Sequence, residues 1–178
     1  MTEGVERSVI EPANPRLNVS RNANLPHSPG IRVGDYIFLS GMGPVDPVSG
    51  GRNLGPIAEQ IRQTLRNMAH MLESAGSGLD RIVKMTVVLA DAGDYDEMNR
   101  VWREFFPVDP PARTACALQL SNGNGVEIEC IALAGEGPTH PRYLRGHDHA
   151  RRSALPSADR DRAGIARQAD ERSGWPRQ

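Results

Sequence analysis

Pro111-Ala112-Arg113-Thr114-Ala115-Cys116-Ala117-Leu118-Gln119-Leu120, followed by Ser121-Asn122-Gly123-Asn124-Gly125 and then Val126-Glu127-Ile128-Glu129-Cys130-Ile131, is the most informative run of the chain. Both flanks alternate at period two, which sends neighbouring side chains to opposite faces of a strand, and the Asn-Gly pairs supply the positive φ angles of a tight reversal. The spacing predicts a β-hairpin. Centred on Gly123, it places Leu120 opposite Val126, Leu118 opposite Ile128 and Cys116 opposite Cys130. One face then carries Thr114, Cys116, Leu118, Leu120, Val126, Ile128 and Cys130 and reads as core. The other carries Arg113, Ala115, Ala117, Gln119, Glu127, Glu129, Ile131 and Leu133. That second face is too apolar for open water and too charged for a dry core, the composition of a surface that meets a partner subunit or a ligand.

Simpler readings stand beside this one. Arg113 is either a solvated strand-end residue or an anchor for a ligand, and the alternating glutamates are either the wet face of a strand or part of a site. The two cysteines either form a disulfide or remain reduced, buried thiols, and a chain of this size with only two favours the second. No CxxC or Cys/His spacing points to a metal.

Outward from this stretch the pattern alternates. Residues 1–15 are polar, contain Pro12 and Pro15, and read as an irregular arm. Short strands are expected at Arg16 to Ser20, around Ile31 to Val33 and, after the Gly34-Asp35 turn, at Tyr36 to Ser40. Gly41 through Gly51, with Pro44 and Pro47, must be a loop, and a loop that begins where a buried strand ends is a good place for a ligand. Ile57, Ile61, Leu65, Met68, Met71, Leu72 and Ala75 recur every three or four residues, an amphipathic helix stopped by Gly76 in which the methionines are core filling. Arg81 to Ala90 reads as a buried strand. Asp94 with Glu97 makes a capping-box pattern for a second helix carrying Tyr95, Met98, Trp102, Phe105 and Phe106 and ending at Pro107. The order implies an α+β fold, a two-layer sandwich of a mixed sheet with two helices on one face. The opposite face is left uncovered in a monomer.

The 178 residues suffice for one domain with a core. The formal charge of -1 hides an asymmetry, because residues 137–178 hold nine Arg against five acids. That tail has few large apolar residues and reads as disordered. Its arginines lack interleaved aromatics and are mixed with acids, so nucleic acid is not an expected partner. No apolar run is long enough for a membrane span, and the N-terminus lacks the pattern of a signal peptide, so a cytoplasmic protein is expected.

One further set of residues carries a resemblance. Leu39-Ser40-Gly41-Met42-Gly43-Pro44-Val45-Asp46-Pro47 with Gly50, then Glu59-Gln60, Leu65-Arg66-Asn67, Ala75-Gly76, Ile82-Val83-Lys84 with Thr86-Val87, Asn99 before Phe105-Phe106, Pro111-Ala112-Arg113 and Val126-Glu127-Ile128-Glu129 resemble, in order and spacing, the reactive intermediate deaminase (Rid, formerly YjgF) family. The likeness covers about residues 16–136, leaving 137–178 outside it. It implies a chorismate-mutase-like fold and a homotrimer with clefts between subunits. It also implies hydrolysis of small 2-imino or enamino acids to 2-oxo acids and ammonia without a cofactor. Arg113 matches the family arginine that binds the substrate carboxylate, a task suited to a guanidinium fork. Glu127 matches the glutamate that positions or activates water, while Glu129 is structural. Ser40 and Gly41 match residues lining the ligand site, and Asn99 an amide near the cleft.

The chain also departs from that pattern. His27 stands where an aromatic, commonly tyrosine, precedes the pocket, and is either a substrate contact or a surface loop residue. Met42 replaces a frequent glutamine, Ala115 a frequent cysteine beside the arginine, and the strand from Arg113 is one residue shorter. These changes leave room for a larger unsaturated amino acid, such as a 2-aminomuconate-type catabolite. A non-catalytic ligand- or RNA-associated protein is the remaining alternative. The hairpin register adds that Arg113, pairing near Leu133, lies about six residues or roughly 20 Å from Glu127. The two cannot then share a small substrate within one chain, which predicts an obligate oligomer.

Overall fold

Asn14, Pro15 and Asn18 turn the segment expected as a first strand into helix instead. Asn14 Oδ1 accepts from the Arg16 N–H, Pro15 opens a 3-10 turn over Pro15–Leu17, and Asn18 Oδ1 accepts from the Arg21 N–H at the start of α1 (Val19–Asn22). Asparagine side chains satisfy first-turn N–H groups better than they fill a strand, so local capping overrides the weak period-two signal of Arg16 to Ser20. The arm is not wholly irregular either. Arg7–Val9 forms β1, pairing antiparallel with β2 (Gly30–Val33). The structure, a computed structural model, describes residues 6–120 and 123–135; the tail 137–178 and the Ser121-Asn122 pair of the expected turn lie outside the described residues.

The long helix α2 (Ile57–Ser74) follows its apolar spacing. Ile61, Leu65, Met68 and Leu72 are fully buried against the sheet, and Gly76 at φ +68° ends the helix. There the Ser77 N–H reaches Leu72 O and the Gly76 N–H reaches Glu73 O, the paired bonds of a Schellman stop. α3 (Tyr95–Phe105) packs beside α2, with Met98 and Val101 buried. Its entry differs from the expected capping box. Asp94 makes no side-chain cap bond, whereas Asp91 caps the preceding 3-10 turn by accepting from the Gly93 N–H. Burial first, and then the nearby Asp91 and Glu97 carboxylates, raise the Asp94 pKa.

Six strands form one mixed sheet in the order β1-β2-β3-β6-β4-β5, where β3 is Tyr36–Met42, β4 Ile82–Leu89, β5 Ala112–Ala117 and β6 Val126–Leu133. The expected hairpin does not form. β4 lies between the two strands, parallel to β5 and antiparallel to β6. Its last residues bind both flanks, the Leu118 N–H donating to Leu89 O and the Ala90 N–H donating to Gly125 O. The physical reason is that β4 is apolar on its core face and has two free edges. Inserting it between β5 and β6 satisfies both edges, and α3 supplies the crossover that a parallel β4/β5 pair needs.

That topology inverts one strand. Met85 and Val87 are buried toward the helices, and their partners Arg113 and Ala115 share that side, so Thr114 and Cys116 face away from the helices. The expectation for β5 was the reverse. β6 keeps its expected faces: Val126, Ile128 and Cys130 are core, while Glu127 and Glu129 stand on the face away from the helices. Cys116 is therefore exposed and Cys130 buried, both free thiols separated by β4, so neither a disulfide nor a pair of buried thiols is formed. The core joins α2, α3 and the inner faces of β3, β4 and β6. No described helix is long and apolar enough to cross a membrane. The outer face of the sheet is uncovered in the single chain, with Tyr36 and Phe38 exposed and their rings 6.5 Å apart.

Candidate active site

Glu127 sits against a bulge. β3 and β6 pair Leu39 with Cys130 and Met42 with Ile128, so β3 has one residue more than β6 across this interval, and Ser40-Gly41 occupy the irregularity. A side chain at Gly41 would run into the Glu127 carboxylate, its Cβ meeting Oε1 first. The close approach of carboxylate to backbone therefore requires glycine. Ser40 Oγ donates to Ser28 O at 2.7 Å, and the Ser40 N–H donates to Pro29 O. Ser40 thus ties the 27–29 segment to the strand, which brings exposed His27 into the neighbourhood of the bulge.

Two buried amides on α2 hold the chain on either side of this point. Gln60 Nε2 donates to Gly55 O, while Gln60 Oε1 accepts from the Gly125 N–H, both at 2.8 Å. Asn67 Nδ2 donates to Val45 O at 2.8 Å and to Gly43 O at 3.3 Å. The loop leaving Gly41 and the turn entering Glu127 are both pinned to one helix. Buried amides without such partners would be costly, so each bond fixes a loop as well as satisfying a side chain.

Arg113 is held by different means. Its Nη2 donates to Asn99 Oδ1 at 2.6 Å, and its guanidinium carbon lies 4.7 Å from the Trp102 ring centroid and 6.0 Å from that of Tyr95. The aromatic faces of α3 attract the cation and fix its plane. Arg113 makes no ion pair among the described residues, whereas Arg62 on α2 and Arg100 on α3 are both paired, with Glu59, Glu97 and Glu104. A cleft of about 260 Å³ opens beside it, lined by Asn99, Trp102, Arg103, Phe106, Pro110 and Pro111. Ala115 follows on the same side, half-buried against the core.

The structure thus gathers the candidate residues into two groups. His27, Ser40, Gly41 and Glu127 lie at one, Arg113, Asn99 and Ala115 at the other. Arg113 is level with Met85 and Glu127 with Val88, on strands separated by β4. The backbones are therefore offset by about 10 Å along the strands and about 10 Å across them, and the two side chains leave opposite faces. The separation expected from the hairpin was larger and its geometry wrong. Glu129, opposite Thr86, lines a second cleft of about 300 Å³ on the outer face with Lys84, Phe38 and Ile131. Sequence reading assigned Trp102 only to the core and missed its stacking on Arg113. It also gave Gln60 and Asn67 no role, although with Thr64 they fall on the same helical stripe as Ile61, Leu65 and Met68, a placement that marks polar residues turned inward. No group of three His, Cys, Asp or Glu among the described residues could hold a metal.

Comparison with known proteins agrees with this architecture. The family model described as Endoribonuclease L-PSP matches residues 19–134. RutC family protein y4sK of Sinorhizobium fredii is 40% identical over 124 residues, covering 69% of this chain and 97% of its own. The human 2-iminobutanoate/2-iminopropanoate deaminase is 37% identical over 111 residues, covering 62% of this chain and 81% of its own. A Yersinia pestis structure from the conserved Rid protein family, YyfA, superposes with a TM-score of 0.65 at 30% identity, covering 72% of this chain and all of its own. With this sheet order, these helices and these matches, the chain belongs to the reactive intermediate deaminase (Rid/YjgF) family.

Proposed function

We propose that the chain hydrolyses reactive 2-imino and enamino acids to 2-oxo acids and ammonia, at clefts between subunits of a homotrimer. The observation that carries the reading is the Arg113 guanidinium, oriented by Asn99 and Trp102 beside an open cleft and free of any ion pair among the described residues. A cation so held is suited to take a carboxylate through two parallel hydrogen bonds. The human relative's name supports an imine as the rest of the substrate.

The chemistry then follows. An enamine first tautomerises to the imine. With the carboxylate on Arg113, water attacks the C=N carbon as Glu127 takes one of its protons, and the C=N π electrons move to nitrogen. Glu127 returns that proton to nitrogen to give the neutral carbinolamine, then carries the hydroxyl proton to the same nitrogen; the C–N bond breaks, ammonia leaves and the C=O bond forms. Because Arg113 and Glu127 leave opposite faces of their own sheet, one substrate meets both when the arginine of one subunit faces the glutamate of the next. A head-to-tail contact of this kind closes into a ring.

The test is ammonia release from 2-iminopropanoate and 2-iminobutanoate generated in situ. Wild type is expected to accelerate it, and Arg113→Ala and Glu127→Ala to abolish most of that acceleration. A wild-type protein without acceleration refutes the proposal.

A further inference from the structure

The cleft beside Arg113 has a second guanidinium on its wall. Arg103 lines it from α3, and both arginines are anchored on the same residue: Arg113 donates to Asn99 Oδ1, and Arg103 Nη1 donates to the Asn99 backbone oxygen at 3.2 Å. Neither makes an ion pair among the described residues. The nearest acid in sequence, Glu104, is engaged by Arg62 at 2.7 Å and by Arg100 at 3.1 Å. Arg62 and Arg100 on the same helical layer are paired with acids, whereas Arg103 and Arg113 both line one opening of about 260 Å³. The remaining walls, Trp102, Phe106, Pro110 and Pro111, are rigid and apolar.

We infer that this cleft selects substrates with a second acidic group, Arg113 holding the carboxylate next to the C=N carbon and Arg103 the distal one. A small dicarboxylate fits the charge of the cleft, and its carbon chain would lie against the aromatic and proline walls. The inference rests on Arg113 as the carboxylate anchor of the reading above, and it narrows the substrate class to dicarboxylic 2-imino acids.

The experiment compares two 2-oxo acids that differ in the second carboxylate, 2-oxoglutarate and 2-oxobutanoate, by calorimetric titration of the intact protein. Wild type is expected to bind 2-oxoglutarate about fivefold more tightly, the upper range for one ion pair at an exposed arginine. Arg103→Gln should bring the ratio to about one, and Arg103→Lys should keep part of it through the retained charge. Arg103 is exposed, so these variants are expected to fold, and circular dichroism verifies it. Equal affinities in wild type, or a preference that survives Arg103→Gln, overturn the inference. Turnover separates the two claims. A protein that hydrolyses 2-iminobutanoate but binds both oxo acids equally retains the deaminase reading and loses this one. Preferential binding of 2-oxoglutarate without hydrolysis of any 2-imino acid retains the two-arginine dicarboxylate site and loses the deaminase reading.

Discussion

The Glu127 end and the Arg113 end of this chain are built on opposite plans. At Glu127 the backbone does the positioning: a bulge, a glycine where an added methyl group would have to displace the carboxylate, and two loops pinned by Gln60 and Asn67. At Arg113, on an edge strand, side chains do it, through Trp102, Tyr95 and one hydrogen bond that the guanidinium donates to Asn99 Oδ1. The difference suits the two tasks proposed for them. A general base must hold its proton acceptor within a fraction of an ångström of the attacking water, whereas a carboxylate anchor needs charge and a planar donor pair.

Substitutions that affect one end and spare the other sharpen this contrast. Glu127→Gln keeps the shape and removes the base, and should lower kcat about a thousandfold with little change in KM. Arg113→Lys keeps the charge and loses the fork, and should raise KM roughly thirtyfold, about 2 kcal/mol, with a smaller effect on kcat. Steady-state kinetics on one imine, read side by side, checks both. Similar kcat and KM profiles in the two variants would break the comparison. Gly41→Ala displaces the Glu127 carboxylate without touching Arg113, so kcat should fall roughly ten- to a hundredfold while KM stays within a few-fold.

Smaller effects probe the supports. Asn67→Leu takes the amide from the Gly43 and Val45 carbonyls in a site with no solvent exposure, and should cost about 1–3 kcal/mol in urea unfolding. Cys130, by contrast, belongs to the core beneath the sheet. Burial, and then the Glu129 charge, push its thiol up to about 12 from an ordinary 9.0. The folded state holds that proton where the unfolded chain releases it. The contribution is therefore complete below pH 9 and lost as pH rises toward 12. Cys130→Ala should flatten that alkaline loss in a series of urea midpoints.

What the sequence shows of this fold depends on whether the signal is local. α2, β4 and α3 are visible because each has its own periodicity, and Gly76 marks its own stop. The partner of β5 is not local. Alternation and an Asn-Gly-Asn-Gly turn describe equally well two strands that pair and two strands separated by a third, and only the free edges of β4 decide between them. The error inverted β5 and placed Arg113 and Glu127 on one face. Arg113 and Glu127 stand out as candidates all the same, because a guanidinium and a carboxylate on otherwise apolar strands are conspicuous in composition whatever their register. Trp102 was hidden for the opposite reason: an aromatic on an apolar stripe is read as core, and its second contact, with Arg113, comes from an element outside its own helix.

The central claim is that one substrate uses Arg113 of one subunit and Glu127 of another. Arg113→Ala and Glu127→Ala chains, each inactive alone, can be unfolded together, mixed in equal amounts and refolded. With random assembly into a closed ring, about a quarter of the sites join an intact arginine to an intact glutamate. Recovery to about a quarter of the wild-type rate is expected in that mixture, and a mixture that assembles but remains as inactive as its parents rules out a shared site.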